Sequence, residues 1–315
     1  MSVQSYSTTV AVSVLLSVTS AGAKASYTTF DAGVVTGINS ASAVTGWRTD
    51  GDSFVRTVDG TVTTFAVPGA SATEALQIND EGEIAGSYTD SSGKVHGFVR
   101  AIDGAFTTFD VPKASDTLAS AINNRGTVAG RYYDDAGSHG FVRAASGRVK
   151  TFDIQGAAGI IPVCINDKGT ISGNAAAHGF VRASDGTITT FDVPGANGGT
   201  FAGCINVKGT VIGTYFNGNG DGQHGFVRIA DGTITTFDGQ NCDIAPVGIN
   251  RKGVIAGFCE DRENPKHFLG FVRHPDGSIN EFHVPDDGPH TMPVGINDSG
   301  VIAGTARGYS FLRFP

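Results

Sequence analysis

Histidine recurs at a fixed point in the chain, as His96, His139, His178 and His224, each followed by Gly-Phe-Val-Arg. Imidazole at repeated spacing invites a metal-ligation reading, since it binds metals when neutral. A second cluster is Asn217-Gly218-Asn219-Gly220-Asp221-Gly222, where oxygen side chains at alternate positions resemble the start of a calcium loop. It lacks the downstream bidentate Glu, so any Ca2+ at Asn217, Asn219 and Asp221 is expected to be weak and structural. The larger share of that reading goes to a Gly/Asn-rich hairpin. A third set breaks the repeat: Trp47-Arg48 with the only Trp, Arg131-Tyr132-Tyr133-Asp134, and Glu260-Asp261. Aromatics beside charges suit carbohydrate or peptide recognition, in which a flat ring packs on an apolar face and charges fix orientation.

No Gly-x-Ser-x-Gly elbow, His-Glu-x-x-His or Cys-x-x-Cys occurs. Sites assembled from distant segments leave no motif, so Asp134, Asp135, Glu260 and Asp261, with His178 or His290 as base, stay candidates for catalysis.

The elements that must carry these residues form a seven-fold repeat. Ile-Asn recurs at Ile38, Ile78, Ile122, Ile165, Ile205, Ile249 and Ile296, at spacings of 40, 44, 43, 40, 44 and 47 residues. Each is followed by Phe-(Val/Leu)-Arg, at Phe54, Phe98, Phe141, Phe180, Phe226, Phe271 and Phe311. Within one copy the segments Leu76–Asn79, Glu83–Tyr88, His96–Arg100 and Phe106–Phe109 are short, β-branched or aromatic, and bounded by Gly, Asp or Asn. They read as four strands, a to d. Asn-x-x-Gly joins a to b, and Asp-Gly (as at Asp59, Asp103 and Asp185) predicts a two-residue turn from c to d with both residues at positive φ.

Counting strand d places Phe30 ahead of the first strand a, whereas the sequence stops at strand c of the last unit. Tyr27–Asp31 is therefore the missing outer strand of the last blade, which closes a ring and removes a free sheet edge. The chain is predicted to be all-β: a seven-bladed β-propeller over residues 26–315. With strand c about 17 Å from the axis, equivalent histidines of neighbouring blades lie about 15 Å apart, too far to share a metal. Each is expected to hydrogen-bond within its own blade, and each blade Arg to pair locally with an acid or a carbonyl.

These elements resemble the HAF-repeat family of extracellular bacterial proteins. The resemblance rests on Gly248-Ile249-Asn250, Gly126-Thr127-Val128-Ala129-Gly130, His96-Gly97-Phe98 and Thr189-Thr190-Phe191-Asp192-Val193-Pro194-Gly195-Ala196. It departs in the first unit, which lacks the His, and in the last, which has Arg307-Gly308-Tyr309 where His-Gly would fall. The resemblance implies an exported propeller and supplies no chemistry.

Export is also expected from residues 1–25, read as a signal peptide. Val10–Val18 is a nine-residue apolar run too short to span a bilayer, and Ala23-Lys24-Ala25 follows as a small-x-small cleavage site. The alternative is a decayed strand, since Ser5–Val10 echoes Ser26–Phe30. A net charge of −8 and the absence of a basic stretch argue against nucleic acid and anionic membranes as partners. Four cysteines suit an oxidising compartment. Cys242 and Cys259 are a candidate disulfide on one face of one blade. Cys164 and Cys204 fall at matching points of neighbouring inner strands, about 6 Å apart, within disulfide reach, yet small residues packed beside the channel are the preferred reading.

The function expected is that of a secreted or periplasmic, monomeric, non-catalytic module. Its variable b–c and d–a loops, the top face, would hold a glycan or protein ligand. The alternative is an extracellular lyase or hydrolase built from top-face acids and His.

Overall fold

The computed structural model describes residues 25–285 and 290–315, so the candidate signal peptide lies almost wholly outside the described residues. The described residues form 28 strands in seven four-stranded antiparallel sheets. In six sheets the strands run in chain order. The seventh pairs Ser26–Phe30 with Tyr309–Phe314, from Ser26 opposite Phe314 to Phe30 opposite Ser310. The chain is a seven-bladed β-propeller closed by its N-terminal strand. Among the described residues no helix is long and apolar enough to cross a membrane.

The repeat folds as blades because its apolar residues fill the seams between sheets. The strand-c phenylalanines Phe54, Phe98, Phe141, Phe180, Phe226, Phe271 and Phe311 are fully buried. In the seam between the third and fourth blades, Phe180 packs with Ile160, Ile165, Ala121, Ala129 and Phe152. Complete burial of each such ring is worth about 2–3 kcal/mol. Glycine lets the rings in. A Cβ on Gly97 would lie 2.5 Å from the ring of Phe109, and one on Gly86 2.9 Å from that of Phe98.

Two devices run round the whole ring. The Asn of each Ile-Asn is buried and donates through Nδ2 to the backbone carbonyl of the same Asn one blade on. The bonds run Asn39 to Asn79, Asn79 to Asn123, Asn123 to Asn166, Asn166 to Asn206, Asn206 to Asn250 and Asn250 to Asn297, at 2.9–3.1 Å. Asn297 returns to Asn39 at 3.2 Å and completes the circle. The other amide atom serves the blade's own a–b turn: Asn166 Oδ1 accepts from the N–H groups of Lys168 and Thr170. One side chain thus satisfies a tight turn and joins two blades.

The second device is the strand-c arginine. Its guanidinium lies over the strand-d Phe of the preceding blade, from Arg56 on Phe30 to Arg313 on Phe282, with centroid distances of 4.6–4.9 Å. Five of the seven also donate to the carbonyl of the next residue, as Arg182 does to Ala183 at 3.2 Å. The carbonyl was expected and the ring was not. Nε of each of these arginines is buried without a hydrogen bond, and burial lowers the pKa of Arg182. The ring face takes over part of the lost hydration, at roughly 0.5–2 kcal/mol per contact.

The c–d connection differs from its expected form. Gly60 and Gly104 have φ of 92° and 93°, but no Asp of an Asp-Gly pair is at positive φ. The turn is longer: Gly104 N–H bonds to Ala101, Ala101 N–H bonds to Ala105, and the Asp103 carboxylate accepts from Ala105 N–H. Aspartate serves as a side-chain acceptor, and only glycine needs the left-handed region. Each strand a also carries a register shift at one level, as between Ala75 and Gln77. Such a bulge turns both Ala75 and Ile78 into the core, although an even strand would separate them.

Candidate functional site

The repeated histidines stay inside their blades. In the second blade His96 Nδ1 meets Asp110 at 2.9 Å, Nε2 meets Asp90 at 3.2 Å, and the ring stacks on Tyr88 at 4.9 Å. The third blade repeats this with His139 between Asp153 (2.6 Å) and Asp134 (2.9 Å), stacked on Tyr132 at 5.0 Å. In the fifth, His224 lies between Asp238 (2.5 Å) and Asp221 (3.2 Å), stacked on Tyr215. A carboxylate on each nitrogen favours the imidazolium form of the ring. Burial works against the charge on His96 and His224, but the paired carboxylates prevail and both pKa values are raised. For His139 the bond to Asp153 leads, and the pKa is raised as well.

The fourth blade departs from this. His178 Nδ1 meets Asp192 at 2.9 Å, no Tyr stacks on it, and its side chain is 58% exposed. Its ring lines a hollow together with Ala177, Asp192, Val193, Pro194 and Asn197. The Asp orients this ring and leaves one nitrogen open, the arrangement a general base requires.

The candidate calcium loop is turned inward. Asn217 Nδ2 donates to Asp221 at 3.0 Å and contacts His224 Nε2, while Asn217 Oδ1 accepts from Asn219 N–H. Asn217 lowers the pKa of Asp221 most, followed by His224. Two of the three oxygen-bearing side chains of the loop, Asn217 and Asp221, thus make contacts to each other and to His224.

Strand pleating divides the Arg131–Asp134 group. Tyr132 is buried and packs on His139, and Asp134 bonds that same ring. Arg131 and Tyr133 take the opposite face, with the guanidinium 5.8 Å from the Tyr133 ring. On the sixth blade Asp261 caps its own loop by accepting from Glu263 N–H, and Glu260 lies in the strand beside Asp243 and Phe268. Arg48 pairs with Asp50 at 2.9 Å on the first blade. Cys242 and Cys259 are bridged, with Cα atoms 5.5 Å apart, and Cys242 opens strand a. Such a bridge is at home in an oxidising compartment.

A feature that motif reading missed is the level just above the strand-b glycines. Here strand a contributes Val34, Glu74, Leu118, Ile161, Phe201, Ala245 and Met292, one per blade. Their partners on strand b include Trp47, Arg131 and Phe258. None of the seven is fully buried, and Glu74 and Ile161 are exposed. The inner strands thus carry apolar side chains and one carboxylate at this upper level, with Trp47, Arg131 and Phe258 opposite them on the adjoining strands.

No protein-family model matches this chain, and no curated protein sequence does. Solved structures do. A streptogramin B lyase aligns with a TM-score of 0.67 at 13% identity, over 92% of this chain and 97% of that one. A catalytically inactive virginiamycin B lyase from Staphylococcus aureus, with quinupristin, aligns at 0.67 and 12%, covering 92% and 99%. A putative TolB from Agrobacterium tumefaciens aligns at 0.51 and 10%, covering 91% and 92%. At such identities the likeness is one of fold: these are propellers, and so is this chain.

Proposed function

We propose that this propeller is an exported binding module that holds a glycan or protein segment at the upper mouth of its channel. One observation carries the reading. The lower level of the ring repeats the same Asn in all seven blades, whereas the level of Glu74 and Phe201 uses a different residue in each blade. Residues demanded by the fold repeat, and a rigid scaffold leaves the others to recognition. Apolar side chains around a single carboxylate suit a ligand with an apolar face and a hydroxyl or cationic group. Arg131 and Trp47 extend that surface.

The repeated histidines His96, His139 and His224 favour a structural role, because each has both ring nitrogens occupied. His178 is the observation favouring a second reading, a lyase or hydrolase in which Asp192 orients His178 as base.

The test is an array of glycans and cell-wall polymers probed with the chain from Ser26 to Pro315, with supernatants analysed for products. Binding that falls at least tenfold in Glu74→Gln or Arg131→Ala, without products, supports the module. Products that disappear in His178→Ala support the enzyme. Retained binding in both upper-mouth variants would remove the proposed surface.

A further inference from the structure

The two cysteines outside the disulfide share one place in the fold. Cys164 and Cys204 each directly precede Ile-Asn, on the inner strands Ile160–Ile165 and Thr200–Ile205 of neighbouring blades. The seam beside them is fixed by the 2.9 Å bond from Asn166 Nδ2 to Asn206 O. The backbone sets the direction of a side chain at this position. A Cβ on Gly37 would lie 3.1 Å from the Cα of Gln77, and one on Gly248 3.1 Å from that of Gly295, the same position one blade on. Whatever stands there points at its twin. Cys164 and Cys204 both line the central channel, and neither is bridged. Among the described residues no His or carboxylate joins them to make a three-ligand metal group. The pair lacks the donors a tetrahedral ion needs.

We propose that Cys164 and Cys204 are an oxidisable dithiol that closes into an inter-blade disulfide on meeting a small-molecule disulfide. At the sister positions a Cβ lies 3.1 Å from the neighbouring Cα, which keeps paired Cα atoms inside the upper limit of about 6.8 Å for such a bond. The neighbouring Cys204 lowers the pKa of the Cys164 thiol, while Cys164 and burial raise that of Cys204. Cys164 is therefore the first nucleophile. Its thiolate attacks one sulfur of the oxidant, forming a mixed disulfide and expelling one thiolate. Cys204 then loses its proton and attacks Cys164 Sγ, expelling the second thiolate. Two protein thiols give up two electrons and two protons, and the oxidant leaves as two thiols. The product bolts together two blades whose seam otherwise depends on packing, hydrogen bonds and one connecting loop.

The test is to incubate the folded chain with oxidised glutathione, quench it in denaturant with iodoacetamide, and map the digest. The expected result is a fall from two alkylatable thiols to none, with a peptide pair joined through Cys164 and Cys204 in monomeric protein. Finding that pair already joined in protein purified without reductant supports the proposal equally. Cys204→Ser should trap glutathione on Cys164, and Cys164→Ser should slow glutathione capture at least tenfold. The proposal is overturned if both thiols of the wild type stay alkylatable, if each carries its own glutathione, or if the linked peptides come only from dimers. A wild type that oxidises without raising its urea midpoint above that of Cys164→Ser would remove the bolting role.

Discussion

The two ends of the channel obey opposite rules. At the lower end seven asparagines form one closed circle of hydrogen bonds, each buried and each doing the same two tasks. At the upper end the corresponding level carries Val34, Glu74, Leu118, Ile161, Phe201, Ala245 and Met292, and no two blades agree. The lower end answers to the neighbouring blade, so a change there is felt at once by two sheets. The upper end answers to the solvent or a ligand, so it can vary. In a repeat protein, departure from the repeat is the more informative signal, provided it occurs where the neighbours impose nothing.

The comparison is broken most directly at the lower end. Asn166→Ala removes the bond to Asn206 and the two turn bonds, leaving the N–H groups of Lys168 and Thr170 without their acceptor and the Asn206 carbonyl with only its bond from Gly209 N–H. The expected cost is about 3 kcal/mol, read from urea unfolding. Tyr132→Ala should come next, at about 2–3 kcal/mol, because the ring is buried against His139. If Tyr132→Ala instead left stability unchanged and abolished ligand binding, Tyr132 would belong to the recognition surface after all. Arg182→Met keeps the alkyl stem over Phe152 and gives up the charge, for about 1 kcal/mol by thermal melting.

A smaller effect follows pH. His96, His139 and His224 have raised pKa values in the folded state. Their contribution is fully present below the unfolded value of about 6.5 and is lost as pH rises through the folded values. Asp134 and Asp221 have lowered pKa values, so their share is present above about 3.9 and is lost as pH falls through the folded values. The melting temperature should decline above about pH 6.5, and the decline should be shallower in His139→Gln. The smallest effect belongs at the upper end. Glu74→Gln should change stability by no more than about 0.5 kcal/mol, which would sharpen the contrast with Asn166.

Ring closure was legible because it is a matter of counting: seven strands d, the first of them misplaced, require Tyr27–Asp31 to pair with the last blade. The local histidine bonds were legible from geometry alone, since neighbouring blades are too far apart to share them. The Asn circle was not. Each Asn looked like a turn residue, which it is, and nothing local shows that its second amide atom reaches a carbonyl about forty residues away. Arginine was half legible, because a buried cation must find a partner, but the Phe it covers belongs to another repeat. Two physical features hid how the upper-face residues are arranged. Pleating sends Arg131 and Tyr132 to opposite faces, and the strand-a bulge hides which residue of each copy shares a level with Glu74.

The closing strand also decides how the molecule meets a pulling force. Ser26 and Phe314 face each other at the same end of an antiparallel pair. Tension applied between the N-terminal side of Ser26 and the C-terminal side of Phe314 would load that pair one rung at a time, as a zipper is opened. The other six sheets would carry no load until it had parted. The seam at the last blade is thus a mechanical fuse, yielding at low force and able to re-form while the rest of the ring stays folded.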